Sequence, residues 1–211
     1  MLLALSLLAM LLSLQIGSAP ISFGDLMNMI LGRGKDSAPL LQSILLEVRM
    51  PRILLSFLVG LALGASGTVM QSLLQNPLAS SYTLGVSSGA SLGASTVMLL
   101  GINFMSTSIS MSLAGFAFGL VTVFIVLLFA QQFSQSLDNQ TIILVGMVFS
   151  LFVNSFLTLM MTFSSDYMQR IIFWQLGSFS GASWENVQLL ALLFVFSFIC
   201  LLYFHREMDI L

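Results

Sequence analysis

Apolar stretches separated by polar, glycine- or proline-bearing breaks predict six membrane-spanning segments, at residues 2–16, 53–73, 84–100, 111–130, 141–163 and 187–204. In hydrocarbon a segment must satisfy its own backbone N–H and C=O groups, so each span is expected to be a helix. A transmembrane β-barrel would need alternating polarity along short segments, and none is present. The expected fold is therefore all-α, a polytopic helix bundle forming a single transmembrane domain over residues 1–211. The first span lacks the basic start of a secretory signal peptide, although the stretch IGSAP resembles a weak cleavage site.

Two connections are long enough to carry structure. Residues 17–52 contain a candidate short helix, with Ser22 as N-cap, Asp25 three residues on and Gly32 as terminator. Residues 164–186 carry Trp174 and Trp184, whose amphipathic rings suit a water–lipid boundary.

Small residues recur at helical spacing in the second and third spans: Gly60, Gly64 and Thr68 in one, Gly85, Gly89 and Gly93 in the other. Such faces let helix backbones approach closely in lipid, so these glycines are expected to serve helix packing. In the fifth span Gly146, Ser150, Asn154, Thr158 and Thr162 form a polar line at four-residue spacing. Interhelical hydrogen bonding and lining of a water-filled path explain that line equally well.

Composition agrees with a lipid solvent. Of 211 residues, 58% are hydrophobic and 7% charged, against about a quarter charged in a soluble domain. No Asp, Glu, Lys or Arg occurs from Ile53 to Leu137, room for several crossings at ~20 residues each. A net charge of −2 with no cluster of Lys and Arg excludes a nucleic-acid surface.

Candidate chemistry is sparse. The spans hold no Asp or Glu and the only histidine is His205, so no catalytic residue and no metal site is expected. The lone Cys200 cannot form an intrachain disulfide and reads as a packing residue. Gly32-Arg33-Gly34-Lys35-Asp36 lacks the spacing and the Ser/Thr of a nucleotide-binding P-loop. The chain is thus not expected to be an enzyme, and ATP-driven work would come from another chain. The absence of intramembrane carboxylates also weakens a proton- or sodium-coupled mechanism.

The block VRMPRILLSFLVGLALGASGTVMQSLLQNPLASSYTLGVSSGASLGAS, Val48 to Ser95, resembles the signature region of FecCD-type permease subunits. These belong to ABC importers for iron-siderophores, haem and cobalamin. The stretch FWQLGSFSGASW, Phe173 to Trp184, is also similar to that family. The resemblance implies a ten-helix permease, paired with a second permease subunit as homo- or heterodimer, with two ATPase subunits holding ATP and Mg. It further implies a periplasmic or lipoprotein substrate-binding protein and a place in the bacterial inner membrane. No cofactor is expected in this chain, and iron-siderophore is the expected cargo.

By motif match Arg49 and Arg52 are expected to dock the binding protein at the outer face, a role that suits a rigid, always-charged guanidinium. Pro51 is expected in the first turn of the second span, where it costs no helical hydrogen bond. Asn76 and Leu78 match positions of a cytoplasmic gate, and residues 136–141 occupy the place of a second gate element. The fifth helix lines the path in the family, which turns Ser150, Asn154 and Thr158 towards path lining.

Two features depart from the family. The sequence ends at HREMDIL, where the ATPase-docking segment should begin, so it reads as the N-terminal part of a permease; a non-transporting fragment acting by helix association is the rival reading. The positive-inside rule places Arg33, Lys35, Arg49, Arg52 and Arg170 in the cytoplasm, whereas the family places the arginine block outside; the family placement is adopted.

Overall fold

The computed structural model describes residues 1–17, 24, 39–102, 107–133 and 137–204, and every regular element among them is a helix. Apart from Gly24, the candidate helix at Ser22–Gly32 lies outside the described residues, as do the Gly32–Asp36 string, Ser136 and His205. Helix α1 is Leu2–Gln15; α2 covers residues 39–73; α3 is Val86–Leu100, α4 Thr107–Phe133, α5 Asn139–Phe163, α6 Ser165–Leu176 and α7 Trp184–Tyr203. Four helices are long and apolar enough to cross a membrane, Leu40–Leu73, α4, α5 and α7, with α1 and α3 shorter apolar helices. The protein is an integral membrane protein.

By contact the chain forms two compact units. One holds the described residues up to Gly64 together with those from Phe179 onward; the other holds Ala65–Ser178.

In the first unit, α2 corrects the expected start at residue 53. It begins as a short α-helical turn, Pro39–Ser43, passes through a π-helical stretch, Ile44–Arg49, and continues as α-helix over Met50–Leu73. The arginine block therefore sits inside a continuous helix, and Pro51, which is fully buried, is not at its first turn. The π-stretch accommodates this proline. The Met50 N–H bonds five residues back, to the Leu45 carbonyl, and Pro51 has no N–H to give. Both helical donors that would reach the Leu46 carbonyl are thereby withdrawn, and the indole N–H of Trp184 donates to it instead at 2.9 Å. The indole thus supplies the donor that the helix ladder withdraws beside the proline.

Helix α7 starts at Trp184, earlier than expected. Ser183 caps it through a hydrogen bond accepted from the Asn186 N–H, and Glu185 favours the positive end of the helix dipole.

In the second unit, α3 packs along α4, α5 closes on both, and α6 lies against α3 and α5. The core gathers Val126, Ala130 and Ile142, flanked by Leu74, Leu84, Val145 and Phe149. Helix α6 occupies the connection expected only to be structured. Asp166 lies in its first turn, Gly177 ends it at φ +72°, and it buries Ile171 completely.

Candidate functional site

In the first unit, the site is built where α1 ends beside α2. The last carbonyls of a helix have no partner within it, and Arg49 Nη1 donates to one of them, Leu14 O, at 2.5 Å. A cation at that end also faces the negative pole of the helix dipole. Arg49 is only 8% exposed. Its guanidinium stands directly over Gly17, where a Cβ would come within 2.6 Å of Nη2 and 2.9 Å of Cζ. Arg52, one turn on, is exposed; its Nε donates to Phe179 O at 3.1 Å and its Nη2 to Ser180 O at 3.2 Å. A cavity of about 390 Å³ lies here, with Ser13, Gly17, Arg49, Arg52, Ser56 and Phe179 in its wall. The fold thus brings the two predicted docking residues to one corner, but in different environments.

In the second unit, the site is the turn between α2 and α3. Helix α2 ends in a Schellman pair, Gln75 N–H to Ser72 O and Asn76 N–H to Gln71 O, with Gln75 taking the left-handed position at φ +45°. Asn76 Oδ1 then accepts the Leu78 N–H at 2.9 Å across Pro77, an Asx turn. Leu78 projects outward, 79% exposed, while Ala79 is buried. Ser80 and Thr83 bond each other reciprocally, the Ser80 N–H to Thr83 Oγ1 at 2.9 Å and the Thr83 N–H to Ser80 Oγ at 3.2 Å. The Q-N-P-L-A block is therefore a rigid, internally paired turn.

Helix α5 braces that turn. Gly146 lies against its backbone, so that a Cβ there would stand 2.7 Å from Thr83 O and 2.8 Å from Leu84 Cα. Ser150, 4% exposed, donates to Tyr82 O at 3.1 Å and to Gly146 O at 2.9 Å. Gly85 turns the chain into α3 at φ +79°, a conformation costly for residues bearing a Cβ. The polar line of α5 is consequently divided. Ser150 is a strut behind the turn, its one hydroxyl proton shared between the two carbonyls. Asn154 is half-buried, and its amide makes no hydrogen bond among the described residues; Thr158 is exposed and bonds back to Asn154 O at 2.9 Å.

The packing glycines also divide. A Cβ at Gly89 would fall 1.9 Å from Thr122 Oγ1, and one at Gly93 2.5 Å from Ala114 O, so both mark the closest approach of α3 to α4. Cβ atoms at Gly60 and Gly64 would meet nothing within 4 Å. Ser88 and Ser95, interleaved with the α3 glycines, bury hydroxyls that have no partner among the described residues. No group of three or more His, Cys, Asp or Glu among the described residues could hold a metal ion. Sequence reasoning missed the Trp184–Leu46 bond and the burial of Arg49, for which periodicity carries no signal.

A family model described as the FecCD transport family matches residues 4–211. An uncharacterized ABC transporter permease protein, YvrB of Bacillus subtilis, is 36% identical over 174 residues, 82% of this chain and 49% of that protein. The vitamin B12 import system permease protein BtuC of Shigella boydii is 34% identical over 198 residues, covering 93% of this chain and 56% of its own. The molybdate import system permease protein MolB of Haemophilus influenzae is 32% identical over 151 residues, 71% of this chain and 43% of that protein. The chain spans about half the length of these curated relatives. A solved structure described as a metal-chelate type ABC transporter in an inward-facing conformation matches 99% of this chain and 62% of its own, with a TM-score of 0.80 and 26% identity.

Proposed function

This chain belongs to the FecCD transport family, and on that premise we propose that it forms part of the translocation path of a binding-protein-dependent ABC importer in a bacterial inner membrane. The single observation that carries this reading is the match of 99% of the chain to a metal-chelate type transporter at a TM-score of 0.80. Its partners are a second permease subunit, two ATPase subunits that hold ATP and Mg, and a soluble or lipid-anchored binding protein that delivers the cargo. The cargo is a metal chelate of the siderophore, haem or cobalamin kind, with iron-siderophore the first to test. A relative named for vitamin B12 import supports that class, and one named for molybdate import adds an oxyanion to the cargoes to test.

Within this reading the arginine corner faces outward and receives the binding protein through carboxylates. The rigid turn at Asn76 and Leu78 belongs to the cytoplasmic gate, with residues 136–141 as a second element of it. The exposed Leu78 side chain supplies an apolar plug on a turn stiff enough to hold it in place. Asn154 and Thr158 line the path below. The half-buried Asn154 amide is the group most able to exchange hydrogen bonds with a polar cargo, since nothing among the described residues occupies it.

The test is uptake by membrane vesicles carrying the assembled transporter, supplied in turn with a ⁵⁵Fe-siderophore, haem, cobalamin and molybdate. ATP-dependent accumulation of one of these is expected, reduced at least several-fold by Asn154→Leu. Accumulation of none would remove the importer reading; undiminished uptake by Asn154→Leu would remove that residue from the path.

A further inference from the structure

Around Pro51, helix α2 has two hydrogen-bond ladders open to it, and they differ in which carbonyl lacks a backbone donor. In an α ladder the Met50 N–H would meet the Leu46 carbonyl, and the N–H that Pro51 lacks would vacate the Glu47 carbonyl. In the ladder observed, the Met50 N–H reaches back to the Leu45 carbonyl and the vacancy falls on Leu46, where the Trp184 indole fills it at 2.9 Å. Only the π ladder uses the indole. The choice of ladder also sets how the arginine block is arranged. A π-turn bonds over five residues instead of four, so a return to α would turn one side of the stretch by roughly 100° and move it by ~1.5 Å relative to the other. Within the stretch, Leu45 packs against Leu14 and Arg49 donates to the Leu14 carbonyl. Beyond it, Arg52 holds the carbonyls of Phe179 and Ser180. A change of ladder cannot keep both sets of attachments.

We propose that Trp184 is a positioning residue for the arginine block: by holding the Leu46 carbonyl, its indole selects the π ladder of α2 and so fixes Arg49 and Arg52 in the relative orientation that a binding protein meets. The proposal rests on the reading of this corner as the docking face and leaves both arginines in that role. Trp184 acts through the backbone of α2, without touching the partner. Residues 179–184 form one clamp across the proline, with the Phe179 and Ser180 carbonyls on Arg52 after it and the Trp184 indole on Leu46 before it. Trp184 opens α7 directly behind its Ser183 cap, which gives the indole a fixed base.

The test uses the assembled transporter in lipid nanodiscs, with each metal-chelate-binding protein encoded in the same genome as the soluble probe. Trp184→Phe keeps an aromatic ring and removes the N–H. It is expected to speed hydrogen exchange at the amides of residues 46–50 several-fold and to weaken docking about fivefold, the loss of one hydrogen bond read as a shift in ladder population. The salt dependence of docking should stay unchanged, because no charge is altered. Pro51→Ala restores an N–H within reach of the Leu46 carbonyl, and in that background Trp184→Phe is expected to change exchange and docking by less than about twofold. A ring that merely packs, or that touches the partner itself, would be missed equally in both backgrounds, so equal losses would overturn the proposal. Unaltered exchange and docking in Trp184→Phe would overturn it as well. Joint Arg49→Gln and Arg52→Gln substitution is the control. Docking that survives it would overturn the docking face and the positioning role with it, while the exchange rates still show whether the indole holds the ladder. Should Trp184→Phe fail to fold, benzothienylalanine at position 184, which replaces only the indole N–H by sulfur, is read in the same way.

Discussion

Gly60 and Gly64 on α2 repeat the four-residue spacing of Gly89 and Gly93 on α3, and that spacing alone does not tell them apart. Their surroundings do. The α3 glycines sit where α4 comes so close that a Cβ would overlap Thr122 or the Ala114 carbonyl, whereas Cβ atoms on the α2 glycines would enter open space. A small-residue face therefore states that a close approach is permitted, and a second helix decides whether it takes place. The same contrast holds for the two arginines: identical side chains, one enclosed by the end of α1 and the other left at the surface.

The strongest way to break this comparison is to enlarge the α3 glycines. Gly89→Ala should destabilise the chain by about 2 to 3 kcal/mol through overpacking, read from denaturant unfolding in detergent micelles. The clash is chiefly with a side-chain oxygen, so adding Thr122→Ala should restore at least part of the loss in a double-mutant cycle. Gly93→Ala should be similarly harmful, but without side-chain rescue, because its nearest obstacle is the backbone carbonyl of Ala114. Full tolerance of Gly89→Ala would mean that the two helices are not in contact there.

A smaller effect is expected at the brace between α5 and the Q-N-P-L-A turn. Ser150→Ala removes the hydroxyl that reaches Tyr82 O and Gly146 O, and polar contacts between membrane helices are worth about 0.6 to 2 kcal/mol. Faster hydrogen exchange at the amides of residues 80–85 is the matching local signature. An unchanged exchange rate would detach Ser150 from the turn.

The smallest effect belongs to α2. Gly60→Ala should be neutral or stabilising by up to about 1 kcal/mol in the isolated chain, since alanine is the better helix former and nothing stands in its way. Repeating the measurement in the assembled transporter sharpens the comparison. A destabilisation that appears only there would locate a partner helix on this face.

Much of the architecture was legible in advance, for a simple reason. Lipid forces backbone groups to pair within a segment, so apolar length alone identifies the spans, and α4, α5 and α7 fall within a few residues of their expected limits. Helix α6 was harder to read, because Asp166, Gln169, Arg170 and Gln175 give it an amphipathic rather than apolar pattern. The path of α2 through Pro51 ran against the usual expectation for proline. A proline in mid-helix withdraws a donor, and only a π-stretch together with an indole arriving from 138 residues away makes that acceptable.

The sequence by itself determined the solvent of this protein, its all-helical class and the residue types from which close packing is made. All of these follow from local rules: hydrophobicity, backbone satisfaction and residue size. Tertiary structure alone decided which glycines are covered, that Ser150 supports a turn, that Trp184 completes a broken hydrogen-bond ladder, and that Arg49 is enclosed while Arg52 is presented. Each of these outcomes depends on a group brought from far along the chain, and distance in sequence carries no record of contact in space.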